Sequence, residues 1–105
     1  MVGSGHSPSD IACTNDVMIR LDKYNKIIEV DQENCEVTVE SGITLHELNE
    51  NLFKYGLGIP SLGSISEQTI SGAISTGTHG TGKNFGILST IVSIHFHWFI
   101  RILCA

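Results

Sequence analysis

The sequence predicts an α+β fold. Three observations carry that reading: an alternating apolar run beside a polar turn, one amphipathic helix with its own start and stop signals, and a nearly uncharged tract of small residues. "DVMIRLDKYNKIIEV", the polar "DQEN" and "CEVTVESG" read as extended segments joined by a turn. Val37 and Val39 alternate with Glu36, Thr38 and Glu40, so the two valines share one face of a pleated strand. The pair makes a hairpin. Thr44 then stands three residues before Glu47, the spacing at which each side chain can bond the other's backbone N–H. Leu45, Leu48, Leu52 and Tyr55 recur at helical intervals until Gly56, which suits the left-handed residue that closes a helix.

Beyond the helix the composition changes. "PSLGSISEQTISGAISTGTHGTGKNFG" is rich in Gly, Ser and Thr and almost free of charge. Glycines let a backbone turn tightly and approach a ligand, and successive N–H groups can converge on an anion. Ser75, Thr76 and Thr78 add hydroxyls. A flexible linker is the competing reading, but Ile65, Ile70, Ala73 and Ile74 are spaced through the tract, which linkers rarely show. Gly77 to Lys83 reads G-x-x-x-x-G-K and approaches a nucleotide-triphosphate loop. Asn84 stands where a hydroxyl should hold magnesium, and neither a buried strand before Gly77 nor a convincing helix after Lys83 is visible. That reading is set aside.

With 105 residues the chain holds one domain at most, and a chain of that size buries about two-thirds of its unfolded surface. A net charge of −5 speaks against nucleic acid, which needs a stripe of lysine and arginine. Any phosphate must be met by backbone amides. Cys13, Cys35 and Cys104 show neither paired spacing nor an even count and are read as free thiols. No basic region followed by an apolar one opens the chain, so no secretory signal is read. The final stretch "ILSTIVSIHFHWFIRILCA" approaches the length of a membrane span, but His95, His97 and Arg101 interrupt it, and a buried strand followed by a stray tail is the preferred reading.

The histidines differ. His46 begins the amphipathic helix and reads as a solvated or capping side chain. His95 and His97 would share one strand face, a spacing some metal sites use, yet no third ligand lies near them in sequence and no metal is inferred. His6 and His79 each sit in a glycine-framed loop.

Together two loops carry a resemblance that neither carries alone. "VGSGHSPSDIACTND" and "SLGSISEQTISGAISTGTHGTG" resemble the two flavin-gripping segments of the aldonolactone oxidases, the D-arabinono-1,4-lactone and L-gulono-1,4-lactone oxidases of the vanillyl-alcohol-oxidase-type (PCMH-type) FAD-binding family. The likeness runs from Val2 to about Val92 and includes the hairpin and helix between the loops. It implies a partial PCMH-type FAD-binding domain over residues 1–92, followed by a divergent apolar tail over 93–105, with the domain truncated at both ends.

The resemblance also implies residue roles. In the family the first loop wraps the flavin pyrophosphate, and in several members its histidine bonds covalently to the ring at the 8α carbon; here that is His6. Val2, Gly3, Ser4, Gly5 and Ser7 surround it with amides and hydroxyls. In the second segment the matching FAD contacts fall on Ser64, Thr69, Gly72, Thr76, Gly77, Thr78 and His79. A neutral imidazole is nucleophilic, and bonded to the flavin it both tethers it and makes it a stronger oxidant. By resemblance the complete enzyme oxidises a small-molecule sugar 1,4-lactone at the carbon beside the carbonyl and passes electrons to oxygen, giving an ascorbate-type product. Substrate and acid-base residues would lie in a cap domain outside this chain, so no catalytic residue is named. A non-catalytic fragment, either an interaction module or a truncated gene product, is the alternative. The family includes microsomal and mitochondrial members associated with membranes, and the resemblance does not choose between those compartments.

Overall fold

A computed structural model describes residues 1–96 and 99–104. Strands β1 (Ile27–Asp31) and β2 (Glu36–Glu40) come first, then helices α1 (Leu45–Phe53) and α2 (Ile70–Ser75), then strands β3 (Val92–Phe96) and β4 (Phe99–Leu103). Single 3-10 turns lie at Asp10–Ala12 and Leu88–Ile91. The four strands form one antiparallel sheet in the order β1-β2-β4-β3.

The hairpin pairs Val30 with Val37 and Asp31 with Glu36. Its first strand is shorter than the apolar run suggested: the Tyr24 N–H donates to the Leu21 carbonyl at 2.8 Å, and this turn among Asp22, Lys23 and Asn25 separates Ile19 and Leu21 from β1. At the hairpin tip Asp31 accepts from the Asn34 backbone (3.0 Å) and side chain (2.8 Å), which holds its carboxyl below the usual range. Cys35 completes the turn with φ +52°.

Helix α1 starts as its sequence requires. Glu47 N–H donates to Thr44 Oγ1 and Thr44 N–H donates to Glu47 Oε2, both at 3.2 Å, so two otherwise unpaired donors of the first turn are met. At the other end Gly56, with φ +72°, donates to the Phe53 carbonyl at 3.0 Å while Leu57 N–H reaches the Leu52 carbonyl at 3.1 Å. This is the doubled closure of a helix on a left-handed glycine. Leu45, Leu48 and Leu52 are fully buried, whereas Tyr55 is 47% exposed; it lies past the last helical turn and does not extend the apolar stripe.

That stripe packs on one face of the sheet, where Val37 and Val39 of β2 pair with Ile102 and Ile100 of β4. All four are essentially sealed from solvent. The other face carries Arg101, which donates to Thr38 Oγ1 at 3.1 Å and lies 3.3 Å from Glu29 and 3.6 Å from Glu36. Phe99–Leu103, within the segment set apart as a tail, is thus an inner strand of the sheet. No helix among the described residues is long and apolar enough to cross a membrane. Of the His95/His97 pair, His97 lies outside the described residues. Among the described residues after Lys83 the only helical turn is the 3-10 turn at Leu88–Ile91, so among them no helix N-terminus stands behind the near-match to a triphosphate loop.

Candidate functional site

The chain from Ser41 to Leu45 lies beside the stretch from Ser66 to Ser71. Leu45 N–H donates to Gln68 O (2.9 Å), Ile70 N–H to Ile43 O (2.9 Å) and Ser71 N–H to Ser41 O (3.3 Å). This ladder fixes where α2 begins. Thr69, 4% exposed, caps it by accepting the Gly72 N–H on Oγ1 at 3.3 Å. Within α2 the helical period sends Ile70 and Ala73 into the core and leaves Ser71, Gly72 and Ser75 on the other side.

The first loop docks against that side. Val2 N–H donates to Ile19 O (2.9 Å) and Leu21 N–H to Val2 O (3.2 Å), a parallel bridge that anchors the loop's start. Gly3 sits so close to Thr69 that a Cβ there would collide with Thr69 Oγ1. The Ser4 hydroxyl donates to the Glu67 carbonyl at 2.6 Å, and Gly5 takes a left-handed φ of +71°.

Between loop and helix lies a cleft of about 400 Å³, within the range of small-molecule sites. Val2, Gly3, Ser4, Gly5, His6 and Ser7 line one wall, Thr69, Gly72 and Thr76 the other. Among the described residues no Asp, Glu, Lys or Arg lines it. In a chain of net charge −5, a carboxylate-free wall of hydroxyls and backbone groups is what a diphosphate requires when no cation neutralises it. The residues present therefore fit a dinucleotide's phosphates.

Four residues expected at the site lie outside this lining. Ser64 is exposed. Gly77 turns the chain away with φ +66°. Thr78 is held by its backbone, its carbonyl accepting from Leu88 N–H at 2.7 Å, and its methyl packs at Gly63. His79 Nδ1 lies 2.9 Å from the Gly80 carbonyl. Conversely Ile11, Leu21, Ser41, Gln68 and Ser71 line the cleft without having been singled out. Ser71 could have been found: Thr69 followed by Ile70, Ala73 and Ile74 at i, i+3 and i+4 is a capped helix start. Ser41 and Leu21 carry no such signal, since only the tertiary pairing brings them there.

A family model describing an FAD binding domain matches residues 1–96. The chain belongs to the FAD binding domain family. It is similar to the L-gulonolactone oxidase of Mus musculus, 51% identical over 92 residues, which cover 88% of this chain and 21% of that protein. It is likewise similar to a putative D-arabinono-1,4-lactone oxidase of Neurospora crassa, 50% identical over 91 residues covering 87% of this chain and 16% of that one. A D-arabinono-1,4-lactone oxidase of Yarrowia lipolytica is 46% identical over 99 residues, 90% of this chain and 19% of that one. This FAD binding domain chain thus spans about a fifth of the length of the curated relatives it matches.

Proposed function

We propose that this chain is the flavin-holding part of an oxidoreductase that oxidises a sugar 1,4-lactone, with oxygen as electron acceptor and an ascorbate-type product. The observation that carries the reading is the cleft, without Asp, Glu, Lys or Arg side chains among the described residues, in which the His6 loop and the Thr69–Thr76 segment face each other. The lactone and the oxidase activity come from the names of the relatives.

The backbone N–H groups of Gly3 to Ser7 in the first loop, with the hydroxyls of Ser7 and Thr69, would hold the pyrophosphate, because the first N–H groups of α2 are taken by Ile43 O, Ser41 O and Thr69 Oγ1 and the Thr76 hydroxyl gives its hydrogen to the Gly72 carbonyl at 2.9 Å. Leu21 and Ile11 supply an apolar side to the cleft. Ser64, Gly77, Thr78 and His79 would touch more distant parts of the cofactor. Bound FAD supplies a two-electron acceptor for the carbon–hydrogen bond beside the lactone carbonyl. His6, on the cleft wall, would be the tether: a ring-nitrogen lone pair would form the bond to the flavin's 8α carbon as a C8α–H bond breaks, the proton leaving to solvent and the electron pair passing into the flavin ring, which the proposed acceptor, oxygen, would reoxidise.

In a protein carrying this segment, flavin should remain with the polypeptide after acid precipitation, and His6→Ala should release it all to the supernatant. Flavin fully released from the unsubstituted protein would remove the tether while leaving binding intact. No flavin at all in either protein would remove the reading.

A further inference from the structure

We infer that Ser4 is a positioning residue: its hydroxyl latches the His6 loop to the Glu67 carbonyl and so does not serve as a donor to the cofactor. A serine hydroxyl has a single hydrogen to give. Here it is given to Glu67 O at 2.6 Å, across 63 positions of sequence. What remains on Ser4 Oγ is acceptor capacity, which an anion cannot use.

The latch has a second part beside it. Gly3 lies against Thr69 Oγ1 with no room for a Cβ, and Thr69 is at once the cap of α2 and an edge partner of Thr44. The first loop is therefore fixed at two adjacent points to the segment Glu67–Thr69. Near its start the loop is also held through its backbone by the Val2 bridge to Ile19 and Leu21. Between that anchor and the 3-10 turn at Asp10–Ala12, Ser4 is the one loop residue whose side chain bonds the facing segment among the described contacts. Gly5 and His6 follow it directly. Releasing Ser4 frees the stretch that carries the imidazole while leaving the core in place, because Ser4 is exposed.

This inference rests on the flavin reading above only for its consequence, and the two can be separated. Ser4→Ala and Ser4→Thr are compared with the unsubstituted 105-residue chain by amide hydrogen exchange and by titration with FAD. Loss of one such hydrogen bond should speed exchange of the Gly5–Ser7 amides about fivefold in Ser4→Ala and weaken FAD binding by a similar factor. Ser4→Thr, which keeps the hydroxyl, should restore both to within about twofold. Unchanged exchange in Ser4→Ala, or Ser4→Thr behaving like Ser4→Ala, would overturn the latch. If none of the three proteins binds FAD, the flavin reading falls and exchange alone decides the latch.

Discussion

Two residues show how far a local conformation decides what a substitution costs. Gly77 has φ +66° with open space where a Cβ would stand. Gly77→Val should therefore cost about 1–2 kcal/mol from the left-handed backbone, with no collision at the Cβ itself. Urea unfolding measures it, and an unchanged midpoint would show that the turn adapts. Cys104 is governed by its surroundings instead. Burial, with Cys35 nearby adding to it, pushes its thiol up from 9.0 to about 11. The protonated thiol is favoured in the fold, so stability is fully present below the unfolded value. It falls as pH rises from about 9 to about 11, by about 2 kcal/mol. Stability measured across that range in the Cys104→Ala variant should lose this slope, and alkylation at mild pH should mark exposed Cys13 well before Cys104.

At the scale of elements, the α1 helix and the β1–β2 hairpin are specified by short-range chemistry: the Thr44–Glu47 reciprocal cap, the Gly56 closure, and valines at alternate positions. The last strand is different. Its inward residues Ile100 and Ile102 are fully buried against Val39 and Val37, so β4 completes the floor on which α1 rests. Ile100→Ala should cost about 2–5 kcal/mol, as large-to-small changes in packed cores do. A cost below about 1 kcal/mol in thermal or urea unfolding would mean that the strand lies on the sheet without sealing it.

At the scale of the molecule, one sheet face is covered by α1 and α2, while Ile11, Val17 and Phe53 stand 71%, 88% and 81% exposed. A core of this size sustains a net stability of only a few kcal/mol. We expect the 105-residue chain alone to unfold in urea in one transition at low denaturant, followed by circular dichroism, with a slope of about 1 kcal/mol per molar. A midpoint above about 5 M would overturn the expectation of a marginal fold.

Taken by itself the sequence determined the elements whose causes are neighbours in the chain. Thr44 finds Glu47 three residues away, Val37 and Val39 share a face because strands alternate, and the His6 loop and the Gly/Ser/Thr tract together carry a resemblance to the two flavin-gripping segments of the aldonolactone oxidases. Three things were left to tertiary structure. Leu21 and Ser41 enter the cleft because separate segments pair across long distances in sequence. Gly77, Thr78 and His79 leave it because a left-handed glycine turns the chain after Thr76. Ser4 gives its only hydrogen to Glu67. In each case the deciding interaction joins residues that sequence spacing does not relate, or depends on a backbone dihedral that glycine permits without dictating.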